Sequence, residues 1–454
     1  MEWMRKLHAE TALLPTGWKR DVEIAIGDDG RIASVAASAP RSPDAETVAI
    51  LLPALANVHS HAFQRALAGL TERRGPGRDD FWSWREVMFV FLKRLGPEEL
   101  EAVAAMLYVE LMESGFASVA EFHYVHNAPD GSKYANPAET GAGIAAAAHS
   151  TGIGLTHLPV YYAQGDFGGA PPGDGQRRFL NDPDGFARIV DSMPQYLTRA
   201  DDRLGIAPHS LRAVTPEHLT AILSHDPGGP IHIHIAEQTK EVDACLAWSG
   251  QRPVEWLLDH VGPDSRWCHI HATHMTEDEA ARLARTGGVA GLCPSTEADL
   301  GDGIFQFRAF TEAGGALGVG TDSHVGTDAA QELRLLEWAQ RLTQRARNIA
   351  APPNGSTGRT LFDATLAGGA QALGRASGAI APGNWADLVS LDAEHPTLTG
   401  KTGDDILDSW IFAGDRSCVS QVWAAGRHCV KDGTHEDREA VAARYRSVMA
   451  KLLA

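Results

Sequence analysis

Asn57-Val58-His59-Ser60-His61 ends a short apolar run that starts just after Pro53, and the reading of that run decides the fold. On a strand, residues i and i+2 point to the same side, so both imidazoles leave the run's C-terminal end together. Seven more runs of this kind follow, each ending in polar residues. They end at Glu121-Phe122-His123, Pro159-Val160-Tyr161, Ala207-Pro208-His209 and His232-Ile233-His234, then at His269-Ile270-His271, Leu292-Cys293-Pro294 and Gly320-Thr321-Asp322. The stretches between them, such as Pro97 to Ser114, are apolar on one side and polar on the other, as helices of an outer ring should be. Strands alternating with helices imply a parallel sheet, and eight of them predict an α/β fold closed as a (β/α)8 TIM barrel. Such barrels gather their chemistry at the C-terminal ends of the strands, where the His, Asp and Glu residues stand here.

Outward from the barrel, both chain ends read as β. Residues 1–53 alternate apolar and polar positions, broken by turns such as Gly27-Asp28-Asp29-Gly30. The pattern returns after Pro382-Gly383-Asn384, in Ala386-Asp387-Leu388-Val389-Ser390-Leu391 and in Cys418-Val419-Ser420-Gln421-Val422-Trp423. We expect residues 1–53 and 377–434 to pair into a small β-sandwich domain, residues 54–376 to form the barrel, and 435–454 to form a C-terminal helix.

The 454 residues are 22% charged and 44% hydrophobic, which excludes a disordered chain, a collagen-like fibre and a disulfide-stapled miniprotein. Forty Lys and Arg against 58 Asp and Glu give a net charge of −18. Such a surface repels nucleic acid and anionic membranes, so an anionic substrate would need arginines concentrated locally. Five scattered cysteines, none in a C-x-x-C pair, read as reduced thiols. Met1 to Trp18 lacks an apolar stretch of signal-peptide length, and no run has the length of a membrane span, so a cytoplasmic location is expected.

His59-Ser60-His61 alone is weak, because H-x-H is common on protein surfaces that bind no metal. Its partners make it specific. His234 ends the fifth run, His271 the sixth, and Asp322 the eighth. In a closed barrel His59, His61, His234 and Asp322 would converge on one cation, and nitrogen and carboxylate donors without cysteine suit Zn2+, or Fe2+ or Mn2+. His232 shares a strand face with His234 and competes with it; His234 is preferred because Glu237 then falls at the rim. There Glu237 could accept a proton from water, with His271 beside it as a donor. The reaction class is hydrolytic attack on an electrophilic sp2 carbon.

This set resembles the amidohydrolase superfamily over nearly the whole chain. Binuclear members bridge two metals through a modified lysine or a glutamate after strand four, whereas Ala207-Pro208-His209-Ser210 stands here. The resemblance therefore implies a mononuclear, deaminase-like branch. Residues 59–65 (His-Ser-His-Ala-Phe-Gln-Arg), 207–212 (Ala-Pro-His-Ser-Leu-Arg), 234–238 (His-Ile-Ala-Glu-Gln) and 293–303, from Cys293-Pro294-Ser295-Thr296-Glu297 to Gly303, are similar to the formimidoylglutamate deiminase family. That implies hydrolysis of N-formimidoyl-L-glutamate to N-formyl-L-glutamate and ammonia in histidine degradation. It also implies a homodimer with one Zn2+ per subunit on His59, His61, His234 and Asp322. Glu237 and His271, with Asp322, would serve proton transfer and stabilisation.

A small dicarboxylate substrate fits the residue reading, since guanidinium forks match carboxylates. Arg212 lies three residues beyond His209, and Arg85 lies in the long loop after strand one. These are the candidates for the two carboxylates, with Tyr124, Gln64 and His209 as further substrate contacts that the resemblance supports. Other residues have plainer readings. Arg65, Arg73 and Arg74 read as surface or paired charges, and His123, His126, His274 and His324 as structural. Phe81-Trp82-Ser83-Trp84 reads as packing, or as a loop covering the site because Gly75-Pro76-Gly77 precedes it. The Cys293 segment shapes the pocket. Rival functions are a deaminase of a nucleobase, nucleoside or triazine ring, an imidazolonepropionate hydrolase, and a barrel that binds metal without catalysis.

Overall fold

The computed structural model describes residues 5–77 and 79–454. Four strands open the chain: β1 (Arg5–Leu14), β2 (Gly17–Ile26), β3 (Ile32–Ala36) and β4 (Glu46–Pro53). Nine strands then belong to the barrel: β5 (Leu55–Ser60), β6 (Phe116–His123), β7 (Gly154–Tyr161), β8 (Arg203–Leu204), β9 (Ala207–Pro208), β10 (Ile231–Ile235), β11 (Trp267–His271), β12 (Val289–Leu292) and β13 (Ala316–Val319). The chain closes with β14 (Leu388–Leu391), β15 (Val419–Ala424), β16 (Arg427–Lys431), β17 (Thr434–His435) and a terminal helix, Arg438–Leu453.

All named pairings within the barrel are parallel. The fourth strand position is split, β8 and β9 each pairing with β7. Ring closure runs through the short stretch beyond it. Ile206 N donates to Pro230 O (3.0 Å), His232 N to Ile206 O (3.1 Å) and His234 N to His209 O (3.0 Å). Strands β5, β6, β7, β10, β11 and β12 are buried at every residue, as parallel strands covered on both faces must be. The helix Thr357–Ala372 packs directly on strand backbone. Gly368 permits this, since a Cβ there would lie 1.8 Å from Leu317 O.

The second sheet draws on both chain ends in one path, β17-β16-β15-β14-β4-β1-β2-β3. β4 is the join: it pairs in parallel with β1 and antiparallel with β14, with Leu51 opposite Ser390. The sheet folds over its own apolar core, where Leu7, Val22, Ile24 and Leu51 meet Leu388 and Trp423. Between this core and the barrel lies a buried charge cluster. Asp201 accepts from Arg427 at 2.6 and 3.0 Å, and Arg375 faces both Asp201 and Asp387 at 3.4 and 3.2 Å. No described helix is long and apolar enough to cross a membrane.

Candidate active site

β5 ends at Ser60, β10 passes through His234, and Asp322 lies just past β13, bridged to Ser60. These three strand ends bring four side chains together. The Nε2 atoms of His59, His61 and His234 lie 3.0 to 3.3 Å from one another. Asp322 Oδ1 lies 3.4 Å from His59 Nε2 and 3.3 Å from His61 Nε2. His61 Nδ1 is 2.9 Å from Phe122 O, and His234 Nδ1 is 3.0 Å from His209 O. A carbonyl only accepts, so each of these rings carries its proton on Nδ1 and turns an Nε2 lone pair inward. Burial also holds all three imidazoles below their ordinary range, which keeps them neutral. Converging lone pairs at this spacing repel unless a cation lies between them. A tetrahedral ion with nitrogen ligands at about 2.0–2.1 Å spaces them about 3.3 Å apart. The donors therefore fit a divalent cation.

Beside this cluster lies a buried pair of titratable groups, Glu237 and His271. Glu237 Oε1 is 3.9 Å from His271 Nε2, and its Oε2 is 3.6 Å from Arg212 Nη2. Burial pushes the Glu237 carboxyl up to about 7, against the pull of His271 and Arg212. His271 Nδ1 is 3.2 Å from Glu297 Oε1, and its Nε2 is 3.6 Å from Asp322 Oδ2. Burial works against a charged ring, yet Glu237, Glu297 and Asp322 raise His271 to about 10. His271 and Asp322 both hold left-handed backbone, with φ of 66° and 46°. Strain of this kind costs about 1–3 kcal/mol per residue and concentrates where geometry serves chemistry.

Every candidate catalytic, substrate or metal residue except His59 lines a single cavity. His59 lies beneath it, fully buried. Gln64 Nε2 donates to Tyr124 Oη (2.9 Å), while Gln64 Oε1 is buried with no partner among the described residues. Arg85 and Arg212 both reach the cavity, and each has a buried Nε without a hydrogen-bond partner among the described residues. Both guanidiniums flank Trp82, at 4.5 and 5.5 Å from the ring centre. His209 joins them from strand four, its Nδ1 3.0 Å from Ser210 Oγ.

One placement differs from the sequence reading. Arg85 and the aromatic run before it lie on a helix, Phe81–Leu92, not in a loop. Asp80 starts that helix by accepting from Trp82 N and Ser83 N, while Ser83 Oγ accepts from Asp80 N. Helical spacing then puts Phe81, Trp84, Arg85, Met88 and Phe89 on the cavity wall. The competition between His232 and His234 is also resolved. His232 donates from Nε2 to Ala372 O (2.8 Å) and takes no part in the cluster. Arg65 pairs with Glu110 at 2.6 Å, and Arg73 and Arg74 are exposed. His123, His126, His274 and His324 each bond to a neighbouring hydroxyl or carbonyl.

Three residues of the site escaped the sequence reading. Glu297, within the segment credited only with shaping the pocket, orients His271. Glu241 accepts the backbone N–H groups of Ala236 and Glu237, at 3.1 and 3.2 Å, and so fixes the turn that carries Glu237. Its place one helical turn after Glu237 was the available signal. Tyr162 lines the cavity beside His209, its hydroxyl accepting from Gln176 (2.6 Å).

The amidohydrolase family model matches residues 50–429, and the model for the formimidoylglutamate deiminase HutF N-terminal domain matches residues 4–48. The chain is 48% identical over 453 residues to formimidoylglutamate deiminase of Pseudomonas aeruginosa, covering 99% of this chain and 100% of that protein. It is 29% identical over 446 residues to 8-oxoguanine deaminase of the same species, covering 94% of each. A solved amidohydrolase from Brucella melitensis matches with a TM-score of 0.95 at 49% identity, over 99% of this chain and 100% of that one. With the three-histidine, one-aspartate cluster at its strand ends and full-length likeness of this order, the chain belongs to the amidohydrolase family, on its formimidoylglutamate deiminase branch.

Proposed function

We propose that this protein hydrolyses N-formimidoyl-L-glutamate to N-formyl-L-glutamate and ammonia. The observation that carries the reading is the pairing, across one cavity, of the converging His59, His61, His234 and Asp322 donors with the Arg85 and Arg212 guanidiniums. His59, His61, His234 and Asp322 would hold a divalent cation, with zinc the expected occupant, and such an ion would lower the pKa of water towards ~7.

The protein's own groups do the rest. Glu237 takes the proton released as water's O–H bond breaks and a C–O bond forms at the formimidoyl carbon. It hands that proton to the terminal amidine nitrogen as the C=N π bond opens; the second O–H proton then passes by way of Glu237 to the same nitrogen as its C–N bond breaks, so that ammonia leaves and the carbon keeps its oxygen as a formyl C=O. His271 and Asp322 stabilise the tetrahedral stage. Gln64 Oε1, lacking a partner, accepts an N–H of the amidine. Arg85, Arg212, Tyr124 and His209 hold the two carboxylates, and this positioning lowers the entropic part of the barrel-bound reaction's barrier. In the same reading the enzyme acts in the cytoplasm, as a homodimer, on a free small molecule. Five buried free thiols support a reducing compartment.

The test is ammonia release by zinc-loaded protein from N-formimidoyl-L-glutamate, with N-formimidoyl-glycine, adenosine and guanine as comparisons. We expect turnover of the glutamate compound alone. Turnover confined to a ring substrate would overturn the reading and the roles given to both arginines.

A further inference from the structure

Cys293 has no part in the chemistry above, yet it stands against the site. It follows β12 directly, between the end of β11 at His271 and Asp322 beyond β13, so three neighbouring strands deliver these residues side by side. One donor atom from each of His271, Cys293 and Asp322 lies within 4.8 Å of the others, and all three residues are buried. Asp322 turns Oδ1 toward His59 and His61 and Oδ2 toward His271, so its carboxylate reaches both groups. Glu297 Oε1 holds the His271 Nδ1 proton and accepts from Cys293 N at 2.8 Å, fixing ring and turn together. A carboxylate behind Nδ1, leaving Nε2 free to bind, is the usual support of a metal-ligating histidine.

We propose that His271 Nε2, Cys293 Sγ and Asp322 Oδ2 form a second, inhibitory site for a soft divalent cation beside the first. The sulfur donor selects Zn2+, Co2+ or Cd2+ over Mg2+. Binding forms a metal–sulfur bond as the thiol S–H breaks, with its proton released to solvent, and displaces any proton on His271 Nε2. His271 Nε2 and Asp322 Oδ2 stand 3.6 Å apart, against 3.0 to 3.3 Å between the first cluster's nitrogens, so this site fills second. Inhibition follows because the ion removes His271 from the reaction; that part rests on the function proposed above.

Metal-free full-length protein is titrated with Co2+, followed by absorption, and assayed at each addition. We expect the first equivalent to restore turnover without a near-ultraviolet band. Further Co2+ should add a cobalt–thiolate charge-transfer band and quench turnover in parallel. Cys293→Ser should still take up the first equivalent while losing the band and weakening second-ion binding by more than the roughly 10–100-fold that loss of a hydrogen-bonding partner behind a ligand costs. Cys293→Ala repeats the test if serine disturbs packing. Cadmium-113 NMR of the unmodified chain needs no variant: one resonance from nitrogen and oxygen ligands and a second, thiolate-shifted one are expected. Uptake that stops at one ion per chain without a thiolate signal, or a band that persists in both variants, would overturn the proposal. A thiolate band without turnover at the first equivalent would sustain the site and overturn the proposed function.

Discussion

Glu237 sits where the two halves of the site meet, 3.6 Å from the Arg212 guanidinium and 3.9 Å from the His271 ring. A proton carrier works best when its pKa lies near the working pH, and burial moves this carboxyl from the ordinary range up to about 7. Glu237→Gln preserves shape and removes the base. Turnover should fall roughly 10²–10⁴-fold, while metal content and binding of N-formyl-L-glutamate stay near those of the parent. As the proposed base, Glu237 acts ionised, so kcat/KM should decline as pH falls through its raised pKa. A bound cation favours the carboxylate, which places that limb between the ordinary carboxylate range and about 7. A pH–rate profile of parent and variant checks both points; an acid limb unchanged in the variant would count against the role. His271 and Asp322 were legible as site residues because each stands at a strand end. Glu297 was not, because its role is a contact with a ring 26 positions away.

At the scale of elements, the helix Phe81–Leu92 places Arg85 on the cavity wall, where the proposed function needs it. Its sequence holds the start signal, Asp80 with Ser83 three residues on, and an apolar stripe at helical spacing. Read as an aromatic cluster behind Gly75-Pro76-Gly77, the same residues suggest a loop. The stripe shows its purpose only when the barrel mouth supplies a wall for Phe81, Trp84 and Met88 to face. The cap is worth about 1 kcal/mol, and Arg85 stands just beyond the first turn. Asp80→Ala should therefore raise KM for N-formimidoyl-L-glutamate severalfold, with a smaller change in kcat and none in metal content. Steady-state kinetics with metal analysis decide it, and a loss confined to kcat would contradict the positioning argument.

For the whole molecule, the barrel and the second sheet are locked together through Asp201. Its carboxylate accepts from Arg427 of β16 and faces Arg375, whose side chain is fully buried. Burial works to raise the Asp201 pKa, but the two arginines hold it below the ordinary carboxylate range. A lowered folded pKa means that this stabilisation is present above the unfolded value and is lost as pH falls through the folded one. Asp201→Asn leaves buried guanidinium charge less well paired and should cost about 3 kcal/mol. Chemical denaturation at neutral pH should show the loss, and the gap between parent and variant should close in acid. An equal gap at both pH values would assign the loss to packing.

The barrel, the β pairing of the two chain ends and the converging donors were all legible in the amino-acid sequence. These follow from local regularities: a period of two within strands, helical stripes between them, and polar residues wherever an apolar run stops. Once eight such runs close a ring, His59, His61, His234 and Asp322 can only meet at its mouth. Tertiary structure alone decided which face Arg85 presents, that His232 turns to Ala372 while His234 joins the cluster, that Glu297 stands behind His271, and that Cys293 comes within reach of Asp322. Each of these is a distance between segments far apart in the chain. Such distances are set by strand register and by how the closed barrel packs, which no local pattern encodes.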